Sequence, residues 1–301
     1  MTDIAVVGGG IAGLTAAIYA RRAGKTVTVI EKDCPGGQIL YSPMVENYPG
    51  IPRMIGADFA DSLQRQTEDL GAEIEYGEVT AIRQEPGYFT VVFDMEIQAK
   101  AVILAAGASH RRLGLEGEEE LTGCGVSYCA VCDGAFYEGL DVAVNGGGNT
   151  ALQDALFLSN VCSTVTVIHR RDEFRGDAKL AAQLKEKGNV RFIMNSTVTA
   201  LQKEDGELTG ITLKDTQTGE ESLFPVKGLF VAIGQIPQTK IFSGLVKTDA
   251  AGYLEAGESC ETNIPGIFAA GDCRTKEVRQ LTTASADGAV AALAACKYID
   301  R

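Results

Sequence analysis

The sequence lacks several features that would point to whole classes of function. Lysine and arginine number 27 against 40 aspartate and glutamate residues, and no basic run extends beyond short arginine pairs. A formal charge of −13 repels phosphate backbones and anionic headgroups, so nucleic acids and membrane surfaces are poor candidate partners. The apolar stretch over residues 5–20 is interrupted by glycines and is too short to span a bilayer.

A signal peptide and a disulfide scaffold are not indicated either. The N-terminal residues MTDIAVVGGG enter a strand pattern by about residue 3, which leaves no room for the charged and apolar regions of a signal. Eight cysteines in 301 residues are too few to staple a fold, and a reducing compartment keeps most of them as thiols. We therefore expect a cytoplasmic protein, in which a Cys-x-x-Cys pair is catalytic, metal-bound or incidental.

What the sequence does contain is an internal repeat. A shift of 138 residues aligns DIAVVGGGIAG (3–13) with DVAVNGGGNTA (141–151), and KTVTVIEKD (25–33) with STVTVIHRR (163–171). Each copy has the pattern of a buried strand, a glycine turn, a helix and a second parallel strand. The chain is also long enough for two domains. The sequence therefore predicts an α/β fold with two Rossmann-like, three-layer nucleotide-binding domains.

The glycine turn of the first copy has the spacing that binds a dinucleotide. Gly8, Gly10 and Gly13 provide a tight turn, close approach of the backbone to a pyrophosphate, and close packing of the helix. Glu31 stands at the end of the second strand, 18 residues after Gly13, where a carboxylate accepts hydrogen bonds from ribose hydroxyls. This pattern favours FAD as the ligand of the first copy.

The second copy repeats the glycine turn with Gly146 and Gly148 but replaces the carboxylate by a basic cluster. This cluster consists of His169, Arg170, Arg171 and Arg175. Guanidinium groups bind a 2′-phosphate, which a carboxylate in the same place would repel. The second copy is therefore predicted to bind NADPH in preference to NADH.

Cys129 and Cys132 form a Cys-x-x-Cys pair upstream of the second copy, and three interpretations compete for it. A zinc site needs further ligands, and neither of the two histidines is suitably spaced. The spacing from Cys124 through the pair, with Cys162 further on, matches an iron–sulfur pattern, although the repeat accounts for the position of Cys162. The third interpretation is a redox-active dithiol, which we favour because the chain has two nucleotide-binding patterns.

The order of the motifs resembles a known family. CAVCDG (129–134) precedes GGGNTA (146–151) and HRRDEFRG (169–176), with GGQI, VENYPG and AAGD elsewhere. Almost the whole chain is similar to the low-molecular-weight, bacterial-type thioredoxin reductases, which are FAD- and NAD(P)-dependent pyridine nucleotide-disulfide oxidoreductases. The resemblance implies a homodimeric flavoprotein that passes electrons from NADPH through FAD and the cysteine pair to thioredoxin or a thioredoxin-like protein.

The resemblance also implies a discontinuous layout. Residues 1–115 and 244–301 would form the FAD-binding domain, and residues 116–243 would form an inserted NADPH-binding domain that carries the cysteine pair. The segments EGEEELTG (116–123) and GQIPQTK (234–240) would then be the crossings between the two domains.

Roles for individual residues follow from the same resemblance. It makes Cys132 the sulfur next to the flavin, Cys129 the thiolate that attacks the partner disulfide, and Asp133 the acid or base beside them. The further flavin contacts that it implies are Gly36, Gly37, Gln38, Asn47, Ala106, Gly107, Gly271, Asp272, Arg279, Gln280 and Leu281. For the nicotinamide nucleotide it adds Asn149, Thr150 and Gly234.

Several alternatives stay open at this point. Departures from the family pattern at Gln153, Asp154 and Gly176 leave room for reduced ferredoxin or another donor in place of NADPH. A flavin-dependent oxidase of a small-molecule dithiol would use the same cysteine chemistry, and a nucleotide-sensing protein would keep the pair as a structural element. Taken alone, Asp272 also suits a helix cap, and Asp133 also suits a capping or surface carboxylate. The cysteines with no assigned role, expected as small apolar residues of the fold, are Cys34, Cys124, Cys260, Cys273 and Cys296.

Overall fold

The computed structural model describes residues 1–42 and 44–301. The strands are β1 (Thr2–Val7), β2 (Val27–Glu31), β3 (Glu73–Tyr76), β4 (Ala81–Glu85), β5 (Tyr88–Val92), β6 (Glu96–Leu104), β7 (Ala108–His110), β8 (Val126–Ser127), β9 (Asp141–Asn145), β10 (Thr164–Ile168), β11 (Val190–Ile193), β12 (Ser196–Glu204), β13 (Glu207–Asp215), β14 (Glu221–Pro225), β15 (Gly228–Val231), β16 (Gln235–Pro237) and β17 (Ile267–Ala269). The helices are α1 (Ile11–Arg22), α2 (Gly56–Asp69), α3 (Ala130–Asp133), α4 (Asn149–Leu158), α5 (Ala178–Lys185) and α6 (Leu281–Ile299). Short 3₁₀ turns lie at Gly37–Tyr41, Gly134–Tyr137, Lys240–Phe242 and Gly271–Cys273.

The chain forms two compact units, one of which is built from two separate stretches. Residues 1–109 and 236–301 make up unit 1, and residues 110–235 make up unit 2. These divisions fall six and eight residues before the boundaries expected at 115/116 and 243/244. The chain passes from one unit to the other within β7 and at the start of β16, so the segment expected as the first crossing, 116–123, lies inside unit 2.

Unit 1 has three layers around a parallel sheet in the order β3-β2-β1-β6, with β17 also paired to β6. Successive side chains of a strand point to opposite faces, so the continuous apolar run of β1 is buried on both. Ile4 and Val6 pack against α1 and α6, whereas Ala5 and Val7 pack against the antiparallel strands β4 and β5 and the segment around Phe242. β5 pairs antiparallel with β6, so β4 and β5 continue the same sheet and pack over one face of its parallel part, while the helices cover the other face.

Unit 2 repeats this arrangement. Its parallel sheet has the order β11-β10-β9-β15-β8, and Val142 and Val144 of β9 face a core that contains residues of α4 and α5. Ala143 faces the opposite core, which includes Val198 and Ile211 of the antiparallel sheet β12-β13-β14. The prediction of an α/β fold with two related three-layer units is confirmed.

The packing of α1 fixes the position of the first glycine turn. The helix ends at Arg22, just before Gly24, whose φ of +79° is a left-handed conformation that glycine adopts without strain. A Cβ on Gly288 of α6 would overlap the carbonyl oxygen of Ala12, so the two helices approach closely only because this residue is glycine.

No helix of the described residues combines the length and the apolar character needed to cross a membrane.

Candidate active site

The glycine turn of unit 1 joins β1 to α1, and its glycines meet different surroundings. Gly8 has a φ of +102°, and an added Cβ would lie 2.5 Å from the carbonyl oxygen of Ala105. A Cβ on Gly13 would overlap the carbonyl oxygen of Gly8. Gly10, in contrast, has no atom within 4 Å of its Cβ position. The fold itself requires glycine at 8 and 13, whereas glycine at 10 leaves open space beside the start of α1, where a pyrophosphate would fit.

The Glu31 carboxylate lies directly against this turn. It stands at the end of β2, and its Oε2 accepts a 2.6 Å hydrogen bond from the Gly9 N–H. Its Oε1 accepts a hydrogen bond from the Asp33 N–H at 2.9 Å. The carboxylate is therefore held in one orientation beside the glycine turn.

Three further loops meet the same turn, because the carboxyl ends of parallel strands share one edge of a sheet. After β2, the Gly36 N–H donates to the carbonyl of Gly9 at 2.8 Å, and Gly37 lies close to Gly10. After β6, Ala106 lies close to Gly8. After β17, a Cβ on Gly271 would lie 2.8 Å from the Cβ of Ala12. Nearby, the Gln38 side chain donates a hydrogen bond to the Ala108 carbonyl, and the Gln238 N–H donates to the Gly107 carbonyl. Leu281 packs against the apolar cluster that contains Ile11 and Ile39.

Asp272 carries a buried polar atom without a partner. Its Oδ1 accepts no hydrogen bond from any described residue, and burial raises the pKa of this carboxyl group. It does not cap α6, which begins at Leu281 and is capped by Gln280 and Thr283. Arg279 donates to the backbone carbonyl of Asp272 at 3.3 Å. An unsatisfied buried oxygen next to an open cradle fits a ligand that donates hydroxyl groups, as a ribityl chain does.

Gln280 also connects this region to the loop that contains Asn47. The Asn47 side-chain amide donates to Oε1 of Gln280 at 3.4 Å. The residues that the family resemblance assigns to a flavin thus all lie in unit 1, and several of them meet at the glycine turn before α1.

The glycine turn of unit 2 repeats the steric pattern of the first. A Cβ on Gly146 would overlap the carbonyl oxygen of Ala232, and one on Gly147 would overlap the ring of His169. Gly148, like Gly10, has no atom within 4 Å of its Cβ position. The second turn therefore offers the same kind of open cradle at the start of α4.

The basic cluster lies beside this second cradle. His169 is buried and stacks on Phe174 with 5.5 Å between ring centroids, and its Nε2 has no hydrogen-bond partner among the described residues. Burial lowers the pKa of His169, and the positive charges of Arg175, Arg170 and Arg171 lower it further. None of the three guanidinium groups forms a salt bridge within residues 1–42 and 44–301. They are therefore available to an anionic ligand.

The other residues expected to contact the nicotinamide nucleotide lie near the same edge. Oδ1 of Asn149 accepts a hydrogen bond from the Asp177 N–H at 2.7 Å, which ties the segment after the basic cluster to the start of α4. Thr150 is exposed in the first turn of α4. Gly234 follows β15, and its carbonyl accepts from the Arg111 N–H at 2.9 Å.

Cys129 and Cys132 are joined by a disulfide, with their Cα atoms 5.3 Å apart. Cys129 precedes α3, and its Sγ accepts a hydrogen bond from the Cys132 N–H at 3.2 Å. Cys124 is exposed while Cys162 is buried. The structure therefore has the pair as a disulfide, which is the oxidised form of a dithiol. No group of three or more His, Cys, Asp or Glu side chains in the described part of the chain is arranged to hold a metal ion.

Asp133 lies half-buried at the end of α3. It caps no helix with its side chain, so the capping alternative is wrong. Burial raises the pKa of its carboxyl group, and a hydrogen bond from Ser127 at 2.6 Å opposes that rise. Ser127 was not among the residues predicted from the sequence, since a single serine at a strand end has no distinguishing spacing. The cysteines without assigned roles divide: Cys260, Cys273 and Cys296 are buried as expected, whereas Cys34 and Cys124 are exposed.

Known proteins resemble this chain over nearly its whole length. The sequence profile of the pyridine nucleotide-disulphide oxidoreductase family matches residues 2–288. The thioredoxin reductase of Bacillus subtilis is 42% identical over 299 residues, which are 99% of this chain and 95% of that protein. The thioredoxin reductase of Listeria monocytogenes is 42% identical over 299 residues, covering 99% and 94% of the two chains. The crystal structure of thioredoxin reductase from Streptococcus pyogenes has a TM-score of 0.95 and 39% identity, and covers 100% of this chain and 98% of its own.

Proposed function

Because the chain belongs to the pyridine nucleotide-disulphide oxidoreductases, and within them to the thioredoxin reductases, we propose that it carries electrons from NADPH to the disulfide of thioredoxin or a thioredoxin-like protein. The family resemblance found in the motifs is confirmed by these relatives. The observation that carries the proposed electron path is the Cys129–Cys132 disulfide, in a chain with two nucleotide cradles. Such a pair exchanges readily with the disulfide of a partner protein.

FAD is the proposed ligand of unit 1. The open space at Gly10 would receive the pyrophosphate, and the Glu31 carboxylate would accept hydrogen bonds from the adenosine ribose. The unpartnered Oδ1 of Asp272 would accept a hydrogen bond from the ribityl chain. When bound, the flavin supplies the redox chemistry that links a hydride donor to a disulfide.

NADPH is the proposed ligand of unit 2. Gly148 leaves room for its pyrophosphate, and Arg170, Arg171 and Arg175 would bind its 2′-phosphate. Planar guanidinium groups bind phosphate with paired hydrogen bonds. In this assignment, the three arginines determine the preference for NADPH over NADH.

The cysteine pair would then pass two electrons outward in two exchange steps. Reduction of the disulfide breaks the S–S bond and yields two thiol groups. The Cys129 thiolate attacks one sulfur of the partner disulfide, which forms a mixed disulfide and releases the other partner sulfur as a thiol. The Cys132 thiolate then attacks Cys129, which restores the internal disulfide and releases the reduced partner. Asp133, next to the pair, would hold and return a proton during these steps.

The location and assembly of the enzyme follow from the family resemblance. We propose a cytoplasmic homodimer, because thioredoxin-type disulfides are reduced again in a reducing compartment. The FAD-binding domain would correspond to unit 1 and the NADPH-binding domain to unit 2.

Steady-state reduction of thioredoxin tests the proposal. The purified enzyme is supplied in turn with NADPH, NADH and reduced ferredoxin, and thioredoxin thiols are counted against donor consumed. The proposal predicts two thiols for each NADPH oxidised and slow turnover with NADH. Turnover only with reduced ferredoxin would show that the electron donor is another protein and not NADPH. Oxygen consumption with a small dithiol and no thioredoxin reduction would identify a dithiol oxidase.

A further inference from the structure

The hydroxyl group of Ser127 lies between the first cysteine of the pair and Asp133. Ser127 ends β8 and is only 2% exposed. Its Oγ donates to Oδ2 of Asp133 at 2.6 Å and accepts from the Cys129 N–H at 3.1 Å. A second acceptor, the Cys129 carbonyl, lies 3.4 Å away. One buried hydroxyl therefore contacts both the backbone of Cys129 and the carboxyl group of Asp133.

A serine hydroxyl can serve both protonation states of its neighbour. It has one donor hydrogen, which rotates, and two acceptor lone pairs. When Asp133 is ionised, this hydrogen points to Oδ2. When Asp133 is protonated, its own O–H donates to the Ser127 Oγ, and the serine hydrogen turns to the Cys129 carbonyl. Each state keeps its hydrogen bonds, so neither leaves an unsatisfied buried group.

The other groups packed around Asp133 do not provide this exchange. Tyr137, on the turn after α3, has its pKa raised to about 12 by burial and by the charge of Asp133, so it stays neutral. From α4, the apolar Phe157 and Leu158 pack against Gly134. The same helix carries Asp154, whose pKa burial raises to about 7. In a titration, the signals of Asp154 and of Asp272, whose pKa burial also raises, must be distinguished from that of Asp133.

We infer that Ser127 is a positioning residue for the exchange chemistry, which holds Asp133 beside Cys129 and allows it to take up and release a proton. The inference rests on the role of Asp133 in the proposed function. The proton that cycles moves between Asp133 and the Cys129 sulfur: Asp133 protonates this sulfur when the disulfide is reduced, and takes the proton back when the Cys129 thiol is deprotonated for its attack on the partner disulfide. The protons that the reduced partner carries away come from the hydride donor and from solvent water.

The test is a titration of Asp133 in the oxidised protein, read from the ¹³C NMR signal of its carboxyl carbon. Asp133→Asn identifies the signal by its loss, and Asp154→Asn removes one of the two competing carboxyl groups. Ser127→Ala removes a hydrogen bond to a charged acceptor, so the midpoint of the Asp133 titration should rise by about one to two pH units. Ser127→Thr keeps the hydroxyl and should restore the midpoint. Ser127→Gly replaces the alanine variant if that variant does not fold.

The pH dependence of kcat for thioredoxin reduction provides the second readout. The part of the kcat–pH profile that depends on the ionisation of Asp133 should shift to higher pH in Ser127→Ala, by the same amount as the NMR midpoint. An unchanged midpoint in Ser127→Ala, or an equal rise in Ser127→Thr, overturns the inference. The NMR titration needs no turnover, so its result is separate from that of the proposed function, which fails instead if the unaltered enzyme does not reduce thioredoxin.

Discussion

The Asp287 carboxylate lies 2.6 Å from the guanidinium of Arg274, and both side chains are buried. The other oxygen of Asp287 accepts from the Gly271 N–H and from the Lys276 ammonium, each at 2.9 Å. A carboxylate on α6 thus fixes the turn that precedes Asp272. Although burial alone would raise it, hydrogen bonds from Arg274 and Lys276 hold the pKa of Asp287 below its usual range.

Asp287→Asn should destabilise the protein by about 3–5 kcal/mol, because it leaves two buried cations without their counter-charge. The free energy of unfolding is measured by chemical denaturation. Asp61→Asn, which breaks an exposed pair with Arg65, is the matched control and should cost about 0.5 kcal/mol or less. Equal effects of the two changes would show that the buried network adds no stability.

The same variant has a defined pH dependence. A carboxyl group whose pKa is lowered by folding contributes stability above its unfolded pKa of about 4, and the contribution is lost as pH falls through the folded value. The difference in unfolding free energy between the unaltered protein and Asp287→Asn should therefore be constant from about pH 6 to 8 and shrink below about pH 4. A difference that grows on acidification would contradict this ion pair.

Two neighbouring glycines of the second turn should respond differently to alanine. Gly147→Ala places a Cβ on the ring of His169, so we expect a loss of about 1–3 kcal/mol in unfolding free energy. Gly148→Ala meets no atom within 4 Å, so stability should be kept while NADPH affinity falls. Calorimetric unfolding and NADPH binding measure the two effects. Unaltered NADPH binding by Gly148→Ala would show that the open space at Gly148 is not the pyrophosphate site.

The double change Arg170→Ala and Arg171→Ala should weaken NADPH binding by a factor of about thirty to several thousand, as expected for truncated charge pairs. NADH, which lacks the 2′-phosphate, should bind nearly as before. Arg191→Ala, at another exposed arginine of unit 2, controls for a general loss of positive charge. Equal losses for both nucleotides would show that these arginines do not recognise the 2′-phosphate.

Cys132→Ser should abolish thioredoxin reduction and leave reduction of the bound flavin by NADPH intact, since the flavin would lose only its electron acceptor. Cys124→Ser, at an exposed cysteine outside the pair, should keep full activity. Stopped-flow flavin absorbance and a thioredoxin assay separate the two steps. Continued thioredoxin turnover by Cys132→Ser would remove this residue from the electron path.

The glycine turns and their strands could be predicted because local constraints determine them. Gly8 and Gly13 have no room for a side chain, and the apolar run of β1 is what burial on both faces requires. The antiparallel strands were not predicted, since the residues of strands such as β4 and β14 are all exposed or half-buried and their apolar patterns are weak. Ser127 and Asp287 also escaped prediction, because their roles depend on partners that the fold brings together.

An anaerobic titration with NADPH, combined with a count of free thiols, tests the electron path most directly. We predict that near-stoichiometric NADPH bleaches the flavin absorbance and that two additional thiols appear for each chain, from Cys129 and Cys132. A flavin that stays oxidised with NADPH, while dithionite or reduced ferredoxin bleaches it, would contradict the path and place the electron donor in another protein.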